Sequence, residues 1–423
     1  MLLSSCNSTF KPSFALLMPP SKNTSVYSLQ FWLLCASSVL FMASFNMIIP
    51  ELPSYLESIG GGDHKGLIIG LFATTAALSR PFSGKLADSI GRIPVMIIGP
   101  VVCAILGLLY PFVVTVWGFL ALRFLHGFST GFKPTGTTAY LADITPSAKR
   151  GEAMGMLGVA GSVGMAAGPA LGSFIAKIYS LEIMFWCSSI LALISILVLA
   201  GMKESLQNKV KFTPRLLLIH PKDVLDKSVW IPSLVMFLTV YSFGTILTIT
   251  PDFSDSLGIS NRGYFFSISL MASIALRLVS GKLSDRIGRI SVLLLGCSAL
   301  LLAMLILAFT TTPFMFYLGA VVFGIAAGIN SPTIFAWTID LANDEAREKA
   351  LATMFIALEL GIIGGSVIGG YLFGNNIDML PYCYLVGATL AAFCLALLIH
   401  LFRKEKTLAK KLNKGFLQTK QTT

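Results

Sequence analysis

The chain has 423 residues, 55% of them hydrophobic and only 12% charged, with a formal net charge of +11. That charged fraction is about half of what a soluble domain carries, and with a mean hydropathy of +0.79 it excludes an ordinary soluble fold and indicates a membrane protein. The 7 cysteines lie far apart with no C-x-x-C pair, so they suggest neither a disulfide framework nor a metal site.

In chain order, residues 1–28 read as a cytoplasmic N-terminal tail, with Lys11 and Lys22, no acid, and an apolar patch from Phe14 to Met18 too short for a signal-peptide core. Either Met1 or Met18 serves as the start. Apolar runs of about 20 residues, the length that spans a bilayer, then follow one another. The expected spans are 29–50, 66–83, 94–112, 115–138, 152–176, 181–201, 229–250, 262–280, 291–310, 313–337, 350–372 and 381–402. Each must be a helix, because hydrocarbon offers no partner for a free backbone amide. The fold class is therefore all-α, a polytopic membrane protein with twelve transmembrane helices.

Residues 202–228 form a polar, basic linker, in which Leu216 to Ile219 is either a short interfacial helix or a turn packed on headgroups. The organisation expected is an N-terminal bundle over 29–201, the linker, a C-terminal bundle over 229–402 and a basic tail over 403–423. Apart from Lys65, Lys177 and Arg262 in the loops of the opposite side, and Arg123 and Lys133 in the fourth span, the Lys and Arg residues fall on the side of the N-terminus. By the positive-inside rule that side is cytoplasmic, and both termini lie there. The net charge thus reports topology and contact with anionic lipid, and no soluble basic surface suited to nucleic acid is present in the sequence.

One polar stretch occurs twice. Gly84-Lys85-Leu86-Ala87-Asp88-Ser89-Ile90-Gly91-Arg92-Ile93-Pro94-Val95 returns from Gly281 to Val292 with three differences, at an offset of 281 − 84 = 197. The register persists beyond it: Arg80 matches Arg277, Gly127 matches Gly324, Asp143 matches Asp340 and Arg150 matches Arg347. Near the start of each half the offset is 198, where 53–60 faces 251–258. An internal repeat of this length implies two related halves. Within the stretch, Gly84 and Gly281 stand where a helix is expected to stop sharply, with Asp88, Gly91 and Arg92, and Asp285, Gly288 and Arg289, following. Each carboxylate faces either its own arginine or the positive end of a neighbouring helix.

The G-x-L-x-D-x-x-G-R pattern between the second and third spans, repeated between the eighth and ninth, resembles the signature of the major facilitator superfamily over roughly 29–402. The resemblance implies two pseudo-symmetric six-helix bundles, a mid-membrane substrate cavity between them and alternating access, with Asp88 helping to latch the cytoplasmic side. Gly164, Gly168, Pro169 and Gly172 in the fifth span are similar to the G-x-x-x-G-P-x-x-G motif of the antiporter branch, which includes multidrug efflux proteins with twelve helices. Read without the resemblance, small residues at this spacing signify close helix packing. Leu122-Arg123-Phe124-Leu125-His126-Gly127 resembles the superfamily's fourth-helix arginine motif, associated with proton coupling.

Two ionisable residues inside spans are candidates for coupling, Arg123 and Glu359, since intramembrane charge is costly and normally serves function. Glu359 matches Ser162 in the other half, so the repeat does not demand it. The alternative for Glu359 is a structural carboxyl bonded to a neighbouring helix. Asn46, His126, Thr130 and Lys133 are candidates for the cavity wall, the last three sharing a stripe with Arg123 at helical spacing. Asn46 otherwise ties its helix to a neighbour, His126 is otherwise a buried hydrogen-bonded imidazole, and Lys133 otherwise reaches towards the headgroups. The first span carries no acid within it, unlike many drug exporters of the superfamily, and Glu51 lies near its outer end.

No phosphate loop, H-E-x-x-H pair or nucleophile elbow is present, which disfavours an enzyme or an ATP-driven pump. No catalytic residue, metal or cofactor is expected. The partners are a small-molecule substrate, protons and the lipid bilayer of the cell membrane, and a functional monomer is expected. The reading is a proton antiporter exporting small molecules, with a proton-coupled importer as the alternative and a non-transporting receptor or scaffold as the reading from another class.

Overall fold

The computed structural model describes residues 27–146, 149–217, 225–342 and 347–421, so the N-terminal tail up to residue 26 and linker residues 218–224 lie outside the described residues. Among the described residues the chain forms fourteen α-helices and no strand. The first half contains α1 (Leu29–Ile48), α2 (Leu52–Ser58), α3 (Lys65–Ile90), α4 (Arg92–Leu109), α5 (Val116–His126), α6 (Phe128–Ile144), α7 (Arg150–Ile178) and α8 (Leu181–Ala200). The second contains α9 (Trp230–Ser256), α10 (Tyr264–Ile287), α11 (Arg289–Ala308), α12 (Pro313–Leu341), α13 (Arg347–Phe373) and α14 (Leu380–Gln421). Only a 3-10 turn separates α1 from α2, and only Gly127 separates α5 from α6, so the fourteen helices make twelve rods.

Hydroxyl side chains start several of these helices where the last water is available. Ser28, Thr115, Ser180 and Thr312 each accept a hydrogen bond from an otherwise unpaired amide of the first turn. Nine segments are long and apolar enough to cross a membrane among the described residues, or ten when the bent α10 is taken as one. The two expected spans outside that count are α3, which holds Arg80, and the α5–α6 rod, which Gly127 divides and which holds Arg123 and Lys133. Neighbouring helices cover those charges.

The repeat is visible contact by contact. Ser83 donates to the Gly131 carbonyl at 2.7 Å, and Ser280 to that of Gly328 at 3.1 Å. Arg92 donates to Asp143 at 3.0 Å, and Arg289 to Asp340 at 2.8 Å. Helix α7 lies on α1 as α13 lies on α9, and the small residues are what allow it. A methyl at Gly168 would sit 2.8 Å from the Ala43 carbonyl oxygen, and one at its repeat partner Gly365 would sit 1.9 Å from that of Tyr241. At Gly172 the obstruction is the Met47 carbonyl, 1.9 Å away. Because backbone cannot step aside as a side chain can, Gly172→Val is expected to cost several kcal/mol, at or above the roughly 1–3 kcal/mol usual for overpacking. Size-exclusion yield of the folded protein should fall severalfold, whereas Gly155→Ala, which has open space, should leave it unchanged.

Three expectations change. Gly84 and Gly281 do not end their helices: both lie inside α3 and α10, which run on to Ile90 and Ile287. The stops are at Gly91 (φ 128°) and Gly288 (φ 89°), a backbone region that residues with a Cβ resist. Polar residues such as Lys85 and Asp88 let a helix continue at headgroup level, so loss of hydropathy marked the hydrocarbon's edge and not the helix's end. The first rod likewise continues to Ser58 rather than ending at 50. The basic segment after Phe402 is helical through Gln421, a continuation of α14. In the linker, Pro214–Leu217 is one 3-10 turn whose Leu216 packs beside Leu86 and Ala87.

Candidate functional site

The halves touch where α3 meets α13 and where α7 meets α10. At the end remote from the 202–228 linker these contacts are polar and tightly drawn. Lys65, at the first turn of α3, donates to Glu57 of its own half at 2.8 Å and crosses to Asp252 on α9 at 2.5 Å and to Asn375 at 2.6 Å. Arg262 occupies the matching position, since 262 − 65 = 197. It pairs with Asp255 of its own half at 2.7 Å and crosses to Glu51 at 2.6 Å. Burial pulls the Arg262 guanidinium down, but its bond to Asp255 and the charges of Glu51 and Asp255 outweigh that and hold it above the ordinary arginine range. Ser366 donates to the Gly66 carbonyl at 2.6 Å and Asn261 to that of Ala170 at 3.1 Å. This end is closed by two repeat-related cations, each reaching an acid of the opposite half.

The linker end is different. Arg92 binds Asp88 and Asp143, and Arg289 binds Asp285 at 2.5 Å and Asp340, all within one half. Asp88 and Asp285 are each 66% exposed, and nothing lies within 4 Å of where a Cβ on Gly84 or Gly281 would stand. In this state Asp88 has no ion pair across the halves among the described residues. The repeated stretch instead pins each α3–α4 or α10–α11 turn to the end of α6 or α12.

Between the closed end and the linker end lies a cavity of about 220 Å³. Its wall is largely apolar, with Phe243, Phe266 and Phe323 among the larger surfaces, and comes mostly from α9, α10, α12 and α13. From the first half, Asn46, Ile49, Met165 and Pro169 contribute. Among the described lining residues one is charged, Arg277.

Of the four residues expected on the wall, Asn46 is there. Of the others, His126 and Lys133 are buried inside the first half and Thr130 is half-buried. His126 is wholly buried, with Nδ1 3.1 Å from the Tyr110 hydroxyl and Nε2 3.3 Å from Cys103 Sγ. Lys133 donates to Ser37 at 2.7 Å, and Thr130 to its own helix at the Gly127 carbonyl. Arg123, 1% exposed, bonds the Ile68 carbonyl at 3.1 Å and the Tyr110 hydroxyl at 3.4 Å, and stacks over Phe72. It ties α5 to α3 instead of facing the cavity. Arg123→Ala is accordingly expected to cost roughly 2–4 kcal/mol of stability. It should lower the melting temperature while leaving substrate affinity within a few-fold.

Of the glycine motif, Pro169 reaches the cavity while Gly164, Gly168 and Gly172 face the α1 backbone. Glu359, 4% exposed, does not itself line the cavity, but Leu358 and Ile362 on either side of it do. Its partner is Arg80 of the other half, which donates to one carboxylate oxygen through Nε at 3.2 Å and Nη2 at 2.6 Å and stacks over Phe355. Arg80, Lys65, Glu51, Asp252 and Arg262 were not among the expected site residues. The signal that finds the three cations is the register: Arg80 repeats as Arg277 and Lys65 as Arg262, and a charge kept in both halves is poorly explained by loop topology alone, whereas Glu51 and Asp252 match Ile249 and Ser54 and carry no such signal.

Two repeat-related helical halves, tied by ion pairs across one end, with the ion pairs of the other end kept within each half among the described residues, and with a cavity between them, define a polytopic transporter fold. The chain belongs to the Major Facilitator Superfamily, whose family model matches residues 34–308 and again 232–422, the second match beginning 232 − 34 = 198 residues after the first. It is 28% identical over 352 residues to "Multidrug resistance protein MdtG" of Enterobacter lignolyticus, covering 79% of this chain and 83% of that one. It is also 28% identical over 348 residues to "Multi-drug resistance efflux pump PmrA" of Streptococcus pneumoniae, covering 79% and 86%. Among solved structures it is similar in fold to a D-xylose-proton symporter, with a TM-score of 0.70 at 16% identity over 87% of this chain and 96% of that one.

Proposed function

We propose that the protein is a secondary transporter that exports small, largely apolar molecules from the cell by proton antiport through alternating access. The observation that carries coupling is the Glu359–Arg80 pair, which joins a buried carboxylate to a partly exposed guanidinium, bridges the halves and adjoins the cavity wall. Protonating Glu359 removes the ionic part of a bond between α13 and α3. Removing one partner of a fully buried pair costs roughly 3–5 kcal/mol; with Arg80 24% exposed the loss here is smaller, and each roughly 1.4 kcal/mol of it moves the ratio of two access states tenfold. The proton therefore acts on the same interface that must loosen for the halves to rock. The names of the relatives support export, and the largely apolar wall suits drug-like substrates.

The positive-inside pattern supports a cell-membrane orientation with the linker and both termini cytoplasmic, bundles over 29–201 and 229–402, and a cytoplasm-facing cavity in this state. Arg123 supports the first bundle in this reading, and Glu359 with Arg80 carries the proton-linked step. The test is flux of a compound panel in inverted membrane vesicles with an imposed pH gradient. Accumulation in an acidic lumen, abolished by a protonophore, is expected. Accumulation only in right-side-out vesicles with acid outside indicates an importer, and no gradient-dependent flux in either orientation indicates a scaffold.

A further inference from the structure

Among the described residues the one charged side chain of the cavity wall has no partner, and the repeat shows what is missing. Arg80 and Arg277 are the same position in the two halves, 197 residues apart. Arg80 meets Glu359 on α13. The helix pair related to α3–α13 by the repeat is α10–α7, and the residue matching Glu359 on α7 is Ser162 (359 − 197 = 162). Ser162 turns its hydroxyl back onto its own helix, donating to the Gly158 carbonyl at 2.8 Å. Where one half supplies a carboxylate to its arginine, the other supplies none. The Arg277 side chain has no hydrogen-bond or ion-pair partner among the described residues and lines the cavity.

The wall around it is built to help an oxyanion. Ser273, one turn earlier on α10 and so on the same face, is buried with its hydroxyl lacking a partner and also lines the cavity. Asn330 and Ser331 on α12 add further hydrogen-bonding groups to the wall, while Phe243, Phe266 and Phe323 offer the apolar part. A guanidinium presents paired N–H groups that match a carboxylate's two oxygens. A cationic substrate would set like charge against Arg277, and a neutral one would leave the guanidinium unpaired in a mostly apolar wall.

We infer that this cavity selects amphiphilic organic anions, with the substrate's carboxylate bound by Arg277 and Ser273 at the place where the repeat lacks its acid. The inference rests on the proposed function only in taking the cavity as the substrate site. It deepens that reading by naming the charge class, and equilibrium binding tests it without any gradient.

The probes are 4-phenylbutyrate, 4-phenylbutyramide and 4-phenylbutylammonium, which share a skeleton and differ in headgroup, titrated calorimetrically into the purified full-length protein. The wild type is expected to bind the carboxylate at least about tenfold more tightly than the amide and to bind the ammonium least. Arg277→Gln removes no side-chain hydrogen bond or ion pair among the described residues, so it should keep its size-exclusion profile and melting temperature while losing the headgroup preference. Ser273→Asp provides a second, independent variant: its carboxylate, one turn from Arg277, should occupy the guanidinium and weaken 4-phenylbutyrate binding about tenfold or more without affecting the amide. Equal affinity for the three headgroups, no binding of the carboxylate, or a preference that survives both variants overturns the inference. A headgroup preference in a protein showing no proton-driven flux leaves this inference standing and removes the coupling proposal instead.

Discussion

In inverted vesicles, Glu359→Gln is expected to reduce accumulation driven by a pH gradient by about a hundredfold, while substrate exchange without a gradient stays within a few-fold of wild type. Glutamine keeps the shape and the acceptor oxygen facing Arg80, so the two hydrogen bonds at 2.6 and 3.2 Å survive in weaker form and the helices remain assembled. What it cannot do is alternate between charged and neutral. The variant is thus fixed as a mimic of the protonated carboxyl, able to carry substrate but not to exchange it for a proton. Arg80→Gln should behave worse than Glu359→Gln alone, because it leaves a buried carboxylate without its cation. The double variant should recover expression relative to Arg80→Gln yet remain uncoupled, giving a large interaction energy in the cycle. Undiminished gradient-driven accumulation in Glu359→Gln would take the carboxyl out of the mechanism.

Much of the architecture is legible in the sequence because bilayer and duplication both leave coarse marks. Hydrocarbon forces long apolar helices, and a second copy of the 84–95 stretch fixes how two halves correspond. The site is less legible because helical spacing tells which residues share a face but not what that face meets. Arg123, His126, Thr130 and Lys133 do lie along one rod, yet Arg123, His126 and Lys133 are buried against α1, α3 and α4 of their own half, where Ser37, the Ile68 carbonyl and Cys103 serve them, and Thr130 is half-buried. Glu359 stands out as an intramembrane acid, but its partner lies 279 residues earlier and no local pattern points there. The cations Lys65 and Arg262 look like loop charges that set topology until the fold places Asp252 and Glu51 beside them.

Those cations carry the other large expected effect. Lys65→Met should shift the conformational equilibrium towards a state open at the end remote from the linker, because that residue alone binds three groups there: Glu57, Asp252 and Asn375. Its ammonium is almost wholly covered, with 1% of the side chain exposed, so water cannot replace what is lost. Asp252 would be left with neither oxygen satisfied, since its Oδ2 is buried and already without a partner. Removing one partner of a buried pair costs roughly 3–5 kcal/mol, which makes the closed end less populated by about a hundredfold or more relative to its alternative. Asn375→Ala, which removes the hydrogen bonds to Lys65 and Glu57 but no charge, should move the equilibrium by less than Lys65→Met, at about 0.5–1.5 kcal/mol for each bond. Spin labels at Ser58→Cys and Ser256→Cys, exposed and repeat-related across this end, read the change directly. A longer distance component should appear in Lys65→Met and be suppressed in Lys65→Arg, which restores the positive charge. If the distance distribution is the same with and without Lys65, the backbone contacts of Gly66 with Ser366 and of Ala170 with Asn261 hold this end closed by themselves, and the charges serve only to place it in the membrane.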